Sequence, residues 1–116
     1  MTPKTPEQLR REILDRIAGI QRRIRQVDLL CSGTLVKRMK ICGKPTCRCA
    51  HDPADRHGPY YEWGYMKDGR QVHRMIPPEQ APLLRRAITN YRKVRRLLRR
   101  WEAESVRLMQ VEKRHK

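Results

Sequence analysis

The first third of the chain repeats its apolar residues at the spacing of an α-helix. Thr5 can cap a helix that Pro6 opens, and Gln8 can complete a capping box. The apolar positions that follow lie three or four residues apart, which predicts one apolar stripe on a helix over residues 5–31. Gly33 is the kind of residue that follows a helix end. The stripe consists of Leu9, Ile13, Ile17, Ile20, Ile24 and Val27.

The middle of the chain changes to the alternation that is typical of β-strands. Residues 34–41 contain β-branched side chains and predict one strand. Residues 60–76 predict a hairpin around a two-residue turn at Asp68-Gly69. A three-stranded antiparallel sheet is therefore expected within residues 32–77. The pairs expected across the hairpin are Tyr65 with Val72, Trp63 with Arg74 and Tyr61 with Ile76.

Residues 78–114 return to helical periodicity after Pro77-Pro78. Steps of three and four alternate over 84–108, which predicts a coiled-coil seam. This helix either packs antiparallel on the first helix or pairs with a second copy or another protein. The fold class is thus α+β, with the two long helices flanking the small sheet in one structural unit. The seam positions are Leu84, Ala87, Tyr91, Val94, Leu98, Trp101, Ser105 and Leu108.

The charge balance indicates a polyanionic partner. The chain has 28 Lys and Arg against 12 Asp and Glu, a net charge of +16. Such an excess favours nucleic acid, with DNA expected over RNA. No apolar run reaches the roughly 20 residues of a membrane span, and the first residues lack the apolar region of a signal peptide. We therefore expect a cytoplasmic protein without a membrane partner.

Basic residues crowd the second helix outside the predicted seam, and no acidic residue lies between Gln80 and Trp101. Most of them are arginines, whose guanidinium groups can bind phosphate through two hydrogen bonds. Further basic residues lie in the predicted strands and among the cysteines. The candidates for contacting nucleic acid are Arg38, Lys40, Lys44, Arg48, Arg70, Arg74, Arg92, Lys93, Arg95, Arg96, Arg99 and Arg100.

Three cysteines in a C-x4-C-x-C pattern indicate a metal site. Cys42, Cys47 and Cys49 can supply three thiolates, and Zn²⁺ takes four ligands in a tetrahedron. For the fourth ligand the order of preference is His57, then His51, then Cys31. A site closed by protein ligands leaves no position for water, so the zinc is expected to stabilise the sheet rather than to catalyse a reaction.

The run CGKPTCRCA, followed by HGPYY, a hairpin and PPEQAPLLRRAITNYR, resembles a family of short bacterial proteins of unknown function. The resemblance covers roughly residues 32–100. Members are often linked to transposons and other mobile elements. The resemblance implies a zinc cluster at Cys42, Cys47, Cys49 and His57, and no established activity. The order of strands and helix also resembles that of the small sheet domains with which some phage-type integrases bind DNA.

The leading hypothesis is a zinc-stabilised nucleic-acid-binding accessory or regulatory protein, associated with a mobile element. The alternative is a coiled-coil adapter for a transposase or recombinase-type partner, bound through the seam. No paired-carboxylate, Ser-His-Asp, phosphate-loop or two-metal pattern is visible in the sequence. We therefore expect neither an enzyme nor a small-molecule substrate.

Overall fold

The chain folds into two helices and a three-stranded antiparallel sheet, the α+β class that the sequence predicts. A computed structural model describes residues 2–40, 44–46, 48–50, 52 and 57–114. Short 3₁₀ turns occupy Arg48–Ala50 and Pro78–Gln80. The helices and strands are α1 (Pro6–Arg25), β1 (Thr34–Lys40), β2 (His57–Lys67), β3 (Arg70–Ile76) and α2 (Ala81–Arg114).

These elements divide into two compact units, where the sequence analysis grouped them as one. The helix-pair unit comprises Met1–Asp28 and Asn90–Lys116, and the sheet unit comprises Leu29–Thr89. Helix α2 contributes its first turns to the sheet unit and the rest to the helix-pair unit. Within the described residues, neither helix has an apolar stretch long enough to cross a bilayer.

Helix α1 begins as predicted and ends earlier. Thr5 Oγ1 accepts a hydrogen bond from the N–H of Gln8 at 3.2 Å, and the Gln8 side chain accepts one from the N–H of Thr5 at 2.9 Å. The helix ends at Arg25 rather than near Cys31. Leu29, Leu30 and Cys31 follow one another, so they cannot all continue a stripe with helical spacing. Instead this segment has no regular secondary structure, and the N–H of Cys31 donates to the carbonyl of Ala87 at 3.2 Å.

The helix-pair unit is held by an apolar core between antiparallel helices. Contacts between early residues of α1 and late residues of α2 establish the direction: Arg10 pairs with Glu112 and Arg16 with Glu104. The antiparallel packing that the sequence analysis considered is therefore the one within this unit. The core residues are Ile13, Ile17, Ile20, Leu97 and Val111, with Leu9, Trp101 and Leu108 partly buried against them.

The buried stripe of α2 in this unit departs from the predicted seam at two positions, because Leu97 and Glu104 are buried in place of Leu98 and Ser105. Leu98 was placed in the seam, but it is 49% exposed, whereas Leu97 is 2% exposed. Adjacent leucines project about 100° apart on a helix, so only one of them can face α1. Leu97 lies on the same side as Trp101 and Leu108 and is the one that is buried.

The sheet unit has the strand order β1-β2-β3. The hairpin register is as predicted, with Tyr61, Trp63 and Tyr65 opposite Ile76, Arg74 and Val72. The predicted first strand ended at Ile41, which lies outside the described residues, and β1 ends at Lys40. Lys40 pairs with His57, the first residue of β2. The chain therefore leaves and re-enters the sheet at neighbouring positions.

Candidate functional site

Four arginines form one exposed face of α2 in the helix-pair unit. At 100° per residue, Arg92, Arg95, Arg96 and Arg99 fall within an arc of about 100°. The four are exposed, and they lie on the side of the helix nearly opposite Trp101 and the rest of the buried stripe. We call these four residues the α2 arginine face. The other predicted residues of this helix are Arg100, which is exposed, and Lys93, which is half-buried.

The protein itself does not neutralise this face. Among the described residues, no ion pair joins any arginine of the α2 arginine face to a carboxylate. The guanidinium of Arg95 lies 6.0 Å from the centroid of the Tyr91 ring, at the outer limit of a cation–π contact. Four unneutralised guanidinium groups on one side of a helix favour an anion with several negative charges.

Glu104 holds two other arginines of this unit, and the sequence analysis did not single it out. It is 5% exposed. Nε of Arg16 donates to its two carboxylate oxygens at 2.7 and 3.0 Å, and Nη1 of Arg107 donates at 2.7 Å. The Arg16 hydrogen bond lowers the pKa of Glu104 and raises the pKa of Arg16. A signal existed in the sequence, because Glu104 continues the three-and-four spacing from Leu97 through Trp101.

The predicted basic residues of the sheet lie on two different faces. Arg38 is directly opposite Tyr60, which is 38% exposed, and Nε of Arg38 is 3.4 Å from a carboxylate oxygen of Glu62. Arg70 and Arg74 are paired with Lys67 and Trp63. Successive side chains of a strand point to opposite faces, so these two arginines project from the face opposite that of Tyr60. The side chain of Lys40 lies outside the described residues. The sheet thus does not gather these arginines into one surface.

The second face of the sheet carries Trp63, which is half-buried. Its Nε1 donates to the carbonyl of Ser32 at 2.8 Å, and its ring centroid is 4.2 Å from that of Tyr65. A cavity of about 350 Å³ next to Trp63 is lined mainly by apolar side chains, including Leu30 and Leu84. Cys31, the third candidate for the fourth zinc ligand, is a half-buried free thiol in the wall of this cavity.

The side chains of the predicted zinc ligands lie mostly outside the described part of the chain. Cys42, Cys47 and His51 lie outside the described residues, as do the side chains of Cys49 and His57. The backbone of Cys49 is in the 3₁₀ turn, and His57 opens β2. In the described part of the chain, no three His, Cys, Asp or Glu side chains are arranged to hold a metal ion. The zinc cluster stays a prediction. The two basic candidates of this segment, Lys44 and Arg48, are exposed.

Comparisons with known proteins give a family without an assigned activity. A family model described as "Domain of unknown function (DUF6788)" matches residues 5–86, which include α1, the three strands and the start of α2. No curated protein and no solved structure matches the chain. The matched residues are well over half of the chain, and the chain therefore belongs to this family of unknown function.

Proposed function

We propose that this chain is a nucleic-acid-binding protein that holds the phosphate backbone on the α2 arginine face. The observation that carries the proposal is the exposure of four arginines on one side of α2 without a neutralising carboxylate among the described residues. Guanidinium groups bind phosphate through paired hydrogen bonds. Each phosphate that they neutralise releases counterions, which makes such binding favourable and dependent on salt.

The spacing of the face suits a backbone rather than a compact anion. Arg92 and Arg99 are seven residues apart, which is about 10 Å along the helix axis. Phosphates of one DNA strand follow one another at about 3.4 Å along the duplex axis. Several successive phosphates are therefore within reach of one helix face. Phosphate contacts position a protein without reading sequence, which fits an accessory or regulatory role better than site-specific recognition.

Zinc stabilisation of the sheet unit is part of the proposal. The pairing of Lys40 with His57 supports it, because the two ends of the segment that contains the cysteines are neighbours in the sheet. Cys42 follows Lys40 by two residues, which the chain spans in about 7 Å at most. Cys42, Cys47, Cys49 and His57 would hold the ion, which would supply folding free energy to this small unit.

The link to mobile elements is proposed on the resemblance of the cysteine motif, and this link favours DNA over RNA as the substrate.

The adapter alternative requires that the apolar seam of α2 is available to a partner helix. Within the helix-pair unit, Trp101, Leu108 and Val111 pack against α1 of the same chain. A partner helix would have to displace α1 there, so we prefer binding through the charged surface.

A charge-neutralising variant tests the proposed surface. Changing Arg92, Arg95, Arg96 and Arg99 to Gln together keeps helix-forming side chains and removes four charges. If each arginine contacts a phosphate, the slope of log K against log salt for duplex DNA falls in magnitude by about 3 to 4. Fluorescence anisotropy at several salt concentrations measures this slope.

The control removes the same charge from other exposed positions that lie outside the proposed site. Its four changes are Arg11→Gln, Lys37→Gln, Lys67→Gln and Lys113→Gln. We expect the control to keep a slope within about 1 of the unmodified chain. Equal slopes for the two variants would remove the α2 arginine face from the binding surface.

A further inference from the structure

The helix-pair unit contains a second group of arginines, gathered around a concave space. A cavity of about 390 Å³ lies between the last turns of α1 and the middle of α2. We call it the arginine cavity. Its walls are formed mainly by basic and amide side chains, and Gly19 is among its lining residues. The residues used in the argument are Arg16, Gly19, Arg22, Arg23, Gln26 and Arg100.

Three of the four arginines of this cavity have no carboxylate partner among the described residues. Arg22, Arg23 and Arg100 are exposed, and among the described residues none of them has an ion pair with a carboxylate. Arg16 is bound to Glu104, which fixes its position at one wall. Basic residues in the last turn of a helix compensate the helix dipole, which gives one reason for Arg22 and Arg23. That reason does not apply to Arg100, which lies in the middle of α2.

Gly19 leaves room for the guanidinium of Arg22. A Cβ atom placed on Gly19 would make an ordinary contact of 3.6 Å with Nη2 of Arg22, and it would meet no other atom within 4 Å apart from its chain neighbours and the nearby backbone of the helix. A glycine inside a helix destabilises it relative to alanine. Gly19 and Arg22 both line the cavity, so the missing side chain leaves open space next to the guanidinium of Arg22. A larger residue at position 19 would fill this space without changing the charge.

We propose that the arginine cavity binds a phosphate group of a nucleic-acid backbone, an inference that rests on the proposed function. Guanidinium groups from two helices line this one cavity, where each can donate two hydrogen bonds to a phosphate and the amide of Gln26 can donate another. The cavity extends the phosphate contacts from α2 onto α1. A free phosphate compound could bind through the same hydrogen bonds. The test therefore distinguishes a free phosphate compound from a phosphate of the nucleic-acid backbone.

The first arm of the test uses pyrophosphate as a free probe. NMR signals of the arginine Nε–H groups are followed during titration of the full chain. We expect saturable shifts for Arg22, Arg23 and Arg100 and none for Arg11, which is exposed on α1 outside the cavity. Gly19→Leu should weaken the saturable shifts, because its side chain occupies part of the cavity with all charges retained. Equal, non-saturating shifts of all arginines, or unchanged binding by Gly19→Leu, would overturn the proposal.

The second arm uses duplex DNA and a matched pair of variants. The cavity variant carries Arg22→Gln, Arg23→Gln and Arg100→Gln. Its control carries Arg11→Gln, Lys37→Gln and Lys113→Gln. Losing one phosphate contact should lower the magnitude of the salt slope by about 1 in the cavity variant, whereas the control should keep the slope of the unmodified chain.

The two arms distinguish the possible failures. If the cavity variant binds DNA with the slope of its control while pyrophosphate still saturates the site, the cavity takes free phosphate compounds and the inference is wrong. If it binds with the control's slope while the variant of the α2 arginine face loses slope, the inference fails and the proposed function stands. If the unmodified chain binds no nucleic acid, the proposed function itself fails.

Discussion

Glu104 is buried in the helix-pair unit although its side chain carries a charge. Its burial is possible because Arg16 and Arg107 both donate hydrogen bonds to it. The sequence pattern placed Ser105 rather than Glu104 in the seam, because charged residues are rarely buried unless they are paired. The burial of Glu104 was therefore not predicted, although this side chain holds two arginines in place. One of these arginines lies in the wall of the arginine cavity.

Glu104→Gln should lower the free energy of unfolding at neutral pH by about 1 to 3 kcal/mol, because it removes a charged partner of two arginines. The pKa of Glu104 is lowered from its ordinary value of 4.5 in the folded state. Its stabilising contribution is therefore present above pH 4.5 and is lost as the pH falls through the folded pKa.

The difference in stability between the unmodified chain and Glu104→Gln should accordingly shrink below pH 4.5. Urea unfolding at a series of pH values measures it. Glu102→Gln is the matched control, since Glu102 is exposed on the same helix turn. A stability difference that stays constant down to pH 2 would show that the lowered pKa is not the source of the effect.

At the scale of elements, the sheet depends on a close approach between two glycines. Gly33 has a φ of 104°, which side chains other than glycine rarely adopt, and a Cβ there would clash with the carbonyl oxygen of Gly64. Gly69, in the hairpin turn, has a φ of 76°, and a Cβ there would meet no atom within 4 Å. At both positions the positive φ would strain any residue other than glycine. Only at Gly33 would an added Cβ also clash with a neighbouring atom.

This pair of glycines gives a controlled test of the packing at the start of β1. Gly69→Ala should cost about 1 to 2 kcal/mol of unfolding free energy from backbone strain alone. Gly33→Ala should cost about 2 to 5 kcal/mol, because the clash adds to the same strain. Denaturation followed by Trp63 fluorescence in a Trp101→Phe background compares them. Equal costs would contradict the close approach of Gly33 to Gly64.

The elements also show which features sequence reasoning could predict. The hairpin register followed from Asp68-Gly69, because a two-residue turn fixes which residues pair. The end of α1 was missed because Gly33 was taken as the residue just past the helix, whereas Leu29, Leu30 and Cys31 lie outside the helix and line a cavity of the sheet unit. The exposed arginines were predictable as positions outside the seam. The cavity that Arg100 lines together with Arg22 and Arg23 was not predictable, since it depends on how α1 lies against α2.

At the scale of the whole molecule, the division into two units predicts how zinc removal would act. All four predicted ligands belong to the sheet unit, and so does Trp63, whereas Trp101 belongs to the helix-pair unit. These two are the chain's tryptophans. Each unit therefore has its own fluorescent reporter.

A strong chelator should lower the melting temperature reported by Trp63 and leave the transition reported by Trp101 largely unchanged. Two single-tryptophan variants, Trp101→Phe and Trp63→Phe, measure the transitions separately, and metal analysis verifies that the ion has been removed. Cys47→Ser should mimic chelation, whereas Cys31→Ser should not. A Trp63 transition that survives verified metal removal would contradict zinc stabilisation of the sheet unit.

Nucleic-acid binding itself is the central claim, and one titration tests it most directly. Labelled duplex DNA, single-stranded DNA and structured RNA are each titrated with the zinc-loaded chain over a range of salt concentrations. We predict binding to duplex DNA that persists at physiological salt, exceeds binding to RNA, and weakens linearly in log K against log salt. Weak binding to all three that disappears below physiological salt would contradict the account, and the charge of +16 would then serve another purpose.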